Sequence, residues 1–284
     1  MQLHPLPKRT LQCANKTLDL STPQIMGILN VTPDSFSDGG QFHQTSKAIA
    51  HALEMMEQGA TIIDIGGEST RPHADAVSVQ EELDRVIPVV EQLVDHDVVI
   101  SIDTSSPEVI REAVAKGAHI WNDVRALKRP NAMQTAADLN IPVILMHMRG
   151  EPSTMNDLAV YQDVTAEVMS ELQQRIDEAL AIGIRKANII IDPGFGFAKT
   201  ASHNLKLLNE LWKLHELGYP ILSALSRKRF IGEVLNGAEA TERDIASSTA
   251  HLLSIQQGAS MVRTHNVKAM SDTIKMWQAM NDGI

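Results

Sequence analysis

Residues 98–123 read VVISIDTSSPEVIREAVAKGAHIWND. An aliphatic run stops at Asp103, and Ser106 and Pro107 then open a segment with helical spacing that closes at Lys116 before Gly117. A second apolar run follows and stops at Asn122 and Asp123. Pro107 sits where a helix tolerates proline best, and Gly117 suits the left-handed residue that ends one. The stretch therefore reads as strand, helix, strand, with polar residues at both strand ends. The same reading holds along the whole chain. Strand-like runs lie at Ile25–Asn30, Thr61–Asp64, Val98–Asp103, Ala118–Asp123, Ile141–His147, Asn188–Asp192, Tyr219–Ser226 and Ala259–His265. Helical segments separate them at Thr45–Gln58, Ser78–Val94, Ser106–Lys116, Pro130–Leu139, Gln162–Ile182, Ser202–Leu217 and Thr241–Gln257, and Val267–Met280 closes the chain. Eight such units predict an α/β fold, a TIM (β/α)8 barrel. In that barrel the carboxyl ends of the strands share one mouth, where active sites are built.

The length of 284 residues suits a single barrel domain over 1–284, since about 250 residues is typical of the fold. Residues 1–22 precede the barrel of 23–284. Their alternating pattern around Asn15-Lys16 predicts a β-hairpin that plugs the amino-terminal end. Two connections are longer than the barrel needs, after strands 1 and 2. Both are rich in Gly, Pro, Ser and Asp, as mobile mouth loops are.

The formal net charge of −10 argues against nucleic acid, which needs a basic stripe. Anionic small molecules would require a local concentration of cations. Arg71, Lys228, Arg229, Arg263 and His265, all following strand ends, are candidates for one; the alternative is solvated surface charge, to which Arg229 alone is equally suited. The one cysteine, Cys13, excludes an intramolecular disulfide framework and fits a cytoplasmic protein. No run approaches the roughly 20 apolar residues that span a bilayer, and the first residues lack a signal-peptide core.

Three aspartates end aliphatic runs: Asp64 in IIDIGG, Asp103 in ISIDT and Asp192 in IIIDPG. A buried carboxylate is costly unless donors meet it. Any one of them could be structural, Asp64 in particular. Three at one rim, with Asn122 beside them, suit a flat nitrogen heterocycle. One carboxylate accepts both the exocyclic amine and the ring N–H of a 2-amino-4-oxopyrimidine edge. Lys228 would donate to the ring carbonyl or a ring nitrogen. Arg263 and His265 alternate in MVRTH and so share one side of strand 8, whose end is a habitual phosphate position in barrels. Asn30 is their neighbour across barrel closure and offers an amide oxygen that suits Mg²⁺.

The segments NVTPDSFSDGG, DIGGESTRP, DPGFGFAK and SRK resemble the signatures of the dihydropteroate synthase family, from strand 1 to His265. The resemblance implies a TIM barrel that joins 6-hydroxymethyl-7,8-dihydropterin diphosphate to 4-aminobenzoate with Mg²⁺. It implies that Asp103, Asn122, Met146, Asp192 and Lys228 hold the pterin, and that Asn30, Arg263 and His265 hold the diphosphate, Asn30 also meeting the metal. Phe36, Asp38, Thr70, Arg71, Pro72, Phe197 and Ser226 would shape the aminobenzoate site, where sulfonamides compete in the family. Asp38, Arg71, Asp103, Asp192, Lys228, Arg263 and His265 are the expected catalytic set, with Asp38 and Arg71 pairing across closed loops. The family further implies a homodimer, to which Val267–Met280 with Trp277 would lend an apolar surface.

That chemistry needs no strong base or nucleophile triad, and the sequence offers none. A corrinoid-linked methyltransferase barrel would share the pterin carboxylates but has no use for the STRP loop. A non-catalytic paralogue would not need intact phosphate residues. A metal-dependent hydrolase would want paired histidines on strand 1, which ends ILN. His147, in LMHMRG, is expected to be structural or supporting.

Overall fold

A computed structural model describes residues 6, 9–32, 41–68 and 77–282. The hairpin pairs β1 (Thr10–Cys13) with β2 (Lys16–Asp19), antiparallel. The barrel strands follow as β3 (Gln24–Asn30), β4 (Ile62–Gly66), β5 (Val99–Asp103), β6 (Ile120–Asp123), β7 (Val143–Met146), β8 (Ile189–Asp192), β9 (Leu222–Ser223) and β10 (Met261–Thr264). They pair in parallel in the order β8-β7-β6-β5-β4-β3-β10-β9, and an Ile191–Ile221 bridge joins β8 to the start of the β9 segment. All eight expected strands are present, and the barrel is nearly closed.

The helices are α1 (Gln41–Glu57), α2 (Val79–Leu93), α3 (Pro107–Ala115), α4 (Ala132–Leu139), α5 (Val164–Ala181), α6 (Ala201–Asn209), α7 (Arg229–Val234), α8 (Asp244–Gln256) and α9 (Val267–Asp282). Ser78 and Glu81 form a capping box at the start of α2, and α3 has the expected proline start. Two segments differ from expectation. The helix expected over 202–217 breaks into α6 and a 3₁₀ segment, Leu211–Leu217, and α4 starts only after Asn131, whose φ of 63° lies outside the helical region. The short α7 is an extra element between β9 and α8.

The floor of the barrel fixes where the site residues point. Met26, Ile62, Val99, Ile120, Ile144, Ile190, Leu222 and Met261, one from each strand, cluster with Leu11, Cys13, Leu18 and Leu20 of the hairpin segment. The hairpin thus plugs the amino-terminal end, and the sealed Cys13 thiol is pushed up to about 12 by burial. Side chains alternate along a strand, so residues two or four further on face the same interior. That step reaches Asp64, Asn122, Met146, Asp192 and Arg263 after two residues, and Asn30 and Asp103 after four.

β9 is only two residues long, and a side chain takes over part of its pairing. Leu225 N–H donates to His251 Nε2 at 3.0 Å, from the fully buried His251 of α8. This fixes the strand just before Ser226 and Lys228.

Candidate active site

Arg263 is the hub of the mouth. Its Nε donates to Asp64 Oδ2 at 2.6 Å and its Nη2 to Asp103 Oδ2 at 2.7 Å. Asn122 Nδ2 donates to the same Asp64 oxygen at 2.9 Å. Asp64 is completely buried, so it acts as the internal anchor that aims Arg263 and Asn122. Asp103 lies one step nearer the mouth. Burial pushes its carboxyl up to about 7; Arg263 opposes that shift, while Asp64 adds to it. A Cβ placed on Gly66 would stand 3.6 Å from both Asn30 Oδ1 and Asp103 Cβ. The missing side chain at Gly66 therefore leaves space between Asn30 and Asp103.

A second group forms at the ends of β8 and β9. Asp192 Oδ1 accepts from Gly194 N–H at 2.7 Å. Burial raises its pKa to about 6, against the pull of that amide and of Lys228, Lys199 and Arg263. Lys228 Nζ stands 4.1 Å from the Phe197 ring centre. Burial and Arg263 lower its pKa to about 8, against the pull of Asp192 and Asp103. Phe197 belongs to a small apolar cluster with Val124, Met146, Met148, Met155 and Ala198, which forms an apolar wall beside these charges.

At the β10 end, Ser226 Oγ accepts from His265 N–H at 3.0 Å and lies 2.9 Å from His265 Nδ1. The amide uses one of the hydroxyl's two lone pairs, and donation to Nδ1 gives the hydroxyl proton a partner; in that arrangement the ring proton sits on Nε2, a donor available to an anion. Burial and the charges of Arg263, Arg227 and Lys228 hold His265 neutral, with its pKa down to about 3.

Of the expected site residues, Asn30, Asp103, Asn122, Met146, Asp192, Phe197, Ser226, Lys228, Arg263 and His265 are all described and all lie at the strand ends. Phe36, Asp38, Thr70, Arg71 and Pro72 fall outside the described residues. Of the expected cation cluster, Lys228, Arg263 and His265 come together. Arg229 does not: its side chain is 81% exposed and pairs with Glu233. Asp123 turns away from the interior and accepts from Ser105 Oγ and from the amides of Arg125 and Leu127, a loop-holding role.

Sequence reasoning singled out Asp64 without a definite role and passed over Lys199, and the structure makes both prominent. Asp64 reads from its run like its neighbour Asp103; only its position in the strand, two residues past the floor instead of four, marks it as an internal anchor. Lys199 lies inside DPGFGFAK but ends no strand. It is buried among Gly194, Phe197 and His147.

Among the described residues no group of three or more His, Cys, Asp or Glu side chains could cage a metal ion. The donor set fits Mg²⁺ only as an ion carried mainly by substrate oxygens and water, with Asn30 as a single hard oxygen.

The family model described as "Pterin binding enzyme" matches residues 26–265. A dihydropteroate synthase of Haemophilus influenzae is 52% identical over 270 residues, covering 95% of this chain and 98% of its own. The structure of Xanthomonas albilineans dihydropteroate synthase with 4-aminobenzoic acid superposes with a TM-score of 0.91 at 50% identity, covering 97% of this chain and 99% of that one. A Yersinia pestis dihydropteroate synthase in complex with a sulfonamide drug gives a TM-score of 0.91 at 45% identity, covering 96% of this chain and 100% of that one.

Proposed function

This chain belongs to the pterin-binding enzyme family, and on that premise we propose that it is a transferase of folate biosynthesis: it condenses 6-hydroxymethyl-7,8-dihydropterin diphosphate with 4-aminobenzoate to give 7,8-dihydropteroate and diphosphate. One observation carries the reading. A single mouth holds heterocycle-reading groups (Asp103, Asn122, Asp192, Lys228) beside anion-binding groups (Arg263, His265). A substrate with a pterin at one end and a diphosphate at the other engages both sets at once.

Asp192 and Asn122 read the amino–amide edge of the pterin, and Met146 lines the pocket beside it. Lys228 donates to the ring. Arg263 and the Nε2–H of His265 take up the charge that grows on the departing diphosphate, the usual large term in such catalysis. When bound, Mg²⁺ supplies further charge neutralisation on that leaving group, with Asn30 as its protein ligand. The C–O bond to diphosphate breaks ahead of attack, in an SN1-like manner. The electron-poor methylene left on the pterin is favoured by the carboxylates Asp103 and Asp192. The aryl amine nitrogen then bonds to that carbon and loses its proton to water. The ammonium formed on attack is acidic, so no strong base is required. Asp38 and Arg71 complete the aminobenzoate side with Phe36, Thr70, Pro72, Phe197 and Ser226, and sulfonamides compete there.

The same reading includes a homodimer and a cytoplasmic setting. Ile245 of α8 and Met276 and Met280 of α9 are exposed apolar side chains on packed helices, which supports an interface there, whereas Trp277 packs partly against the core. Among the described residues no helix is long and apolar enough to cross a membrane. The decisive assay is diphosphate release on mixing the pterin diphosphate with 4-aminobenzoate, with and without Mg²⁺. No turnover by the wild type, or full turnover by Asp192→Ala or Lys228→Ala, overturns the reading.

A further inference from the structure

The segment after β8, Pro193–Ala198, carries Phe197 and the amide that holds Asp192, yet it has no regular secondary structure. Its geometry is tightly specified. Gly194 has a φ of 68°, and a Cβ there would stand 1.9 Å from the His147 carbonyl oxygen. Gly196 has a φ of 79°, and a Cβ there would stand 2.9 Å from Lys228 Cδ. The loop is therefore held in close contact with both the end of β7 and the Lys228 stem.

Beneath it lies Lys199, which the mechanism above does not employ. Its Nζ is 3.0 Å from Gly194 O, 3.1 Å from Phe197 O and 2.9 Å from His147 Nδ1. An ammonium has three donors and no acceptor, so these three partners use it fully. The ionised Glu171 of α5, 3.0 Å from Nε2, can only accept, so the neutral His147 carries its proton on Nε2 and accepts at Nδ1. Glu171 is fixed in turn by Arg149 Nε at 2.9 Å, and Arg149 Nη2 also reaches Glu167 at 2.8 Å. A chain of charge-assisted bonds thus runs from α5 through His147 to the underside of the loop.

We propose that Lys199, oriented by His147, is a positioning residue: it clamps the Gly194–Phe197 loop and so places Asp192 for the pterin and Phe197 beside it for the aminobenzoate. The geometry explains why a lysine is needed there. Two carbonyls and an imidazole nitrogen converge on one buried point, and only a three-donor group satisfies all of them. Removing it leaves those acceptors unpaired and frees the loop. This inference rests on the activity proposed above, and its test separates the two.

Four proteins are compared: the wild type, Lys199→Met, His147→Gln and His147→Asn. Asparagine places an amide oxygen near the position of Nδ1 and keeps an acceptor for Lys199. Glutamine reaches instead toward Glu171 and loses that acceptor. Amide hydrogen exchange at Gly194, Gly196 and Phe197 reads the clamp without any catalysis, and is expected to quicken ~10-fold or more in Lys199→Met and His147→Gln but not in His147→Asn. In the coupled assay, kcat/KM for the pterin diphosphate falls ~10- to 100-fold in the first two and stays near the wild-type value in His147→Asn. Unchanged exchange in Lys199→Met overturns the clamp. Quickened exchange with unchanged kcat/KM overturns positioning. Equal behaviour of the two His147 variants removes His147 from the device. A wild type without turnover overturns the activity instead, while the exchange data still decide whether Lys199 holds the loop.

Discussion

Arg263 reaches Asp64 through a 2.6 Å bond from its Nε, deep in the barrel, and this leaves its Nη2 edge turned toward Asp103 and the mouth. The arginine is therefore oriented before any anion arrives. Replacing the fully buried Asp64 by alanine would remove the acceptor for both Arg263 and Asn122 and leave a partly buried guanidinium half-paired. Breaking such a buried pair costs about 3–5 kcal/mol. Asp64→Ala is expected to lose that much stability in urea unfolding and to lower kcat/KM for the pterin diphosphate ~100-fold or more, the scale seen when oriented groups are displaced. Asp64→Asn, which keeps the shape, should recover part of the stability and little of the activity. An Asp64→Ala protein with normal kinetics would remove Asp64 from the site's architecture.

The pH dependence follows from the two raised carboxyls and the depressed lysine. Asp103 stands at about 7 and Asp192 at about 6, so both gain protons as the pH falls through that range and lose their hold on an amino–amide edge. Lys228, at about 8, loses its proton above that value. kcat/KM for the pterin diphosphate, which reports the free enzyme, is expected to fall on both sides of a narrow optimum between these limits. Stability moves by a different rule. The folded chain holds the two carboxyl protons more tightly than the unfolded chain, whose aspartates titrate near about 4. Unfolding therefore releases protons from these two groups, and their contribution to stability declines as the pH rises from about 4 to about 7, whereas His265, held at about 3, contributes the opposite slope below about 6.5. Asp192→Asn should flatten part of that decline while abolishing most activity. A difference in Tm, wild type minus Asp192→Asn, that rises with pH across the same interval would contradict the burial argument.

The strands and the hairpin were legible because each rests on local signals: aliphatic runs, polar stops, glycine caps. The inward set was legible too, since even steps from the barrel floor lead from Met26 to Asn30 and from Ile190 to Asp192. What the sequence concealed was depth and partnership. Asp64 and Asp103 end similar runs, and only the register of β4 against β5 shows that Asp103 pairs with Gly66 at the rim while Asp64 pairs with Ser101 below it. His147 lies three residues past Ile144, an odd step that turns it out of the barrel. Its partners Glu171 and Lys199 are 24 and 52 residues away, beyond the reach of any local pattern.

Ser226 offers a finer test of the anion side. Its hydroxyl accepts from the backbone of His265 and addresses Nδ1 of the same residue, so it favours the tautomer with the ring proton on Nε2. Ser226→Ala removes that preference and leaves His265 free to take either tautomer. We expect a stability loss of about 1 kcal/mol, the ordinary worth of such a bond. We expect also a ~10-fold fall in kcat, as for other lost supports of a site group. Ser226→Thr, which keeps the hydroxyl, should stay closer to the wild type. If alanine and threonine behave alike in kcat, the hydroxyl does not set the tautomer.

The metal requirement can be argued from the donors alone. Asn30 gives one neutral oxygen, and the described residues form no carboxylate or imidazole cage. Mg²⁺ gives up its waters reluctantly and binds poorly to a single amide, but diphosphate oxygens hold it well. Titration calorimetry with Mg²⁺ alone should therefore show no binding below about 1 mM, the weak end of the affinity scale. Turnover of the pterin diphosphate should nonetheless stop on chelation with EDTA and return with added Mg²⁺. Asn30→Ala should raise the Mg²⁺ concentration needed for half-maximal rate several-fold and leave binding of a diphosphate-free pterin unchanged, because that pterin meets Asp192 and Asn122 rather than Asn30. Tight Mg²⁺ binding to the substrate-free wild type would mean instead that protein oxygens other than Asn30 form a resident site.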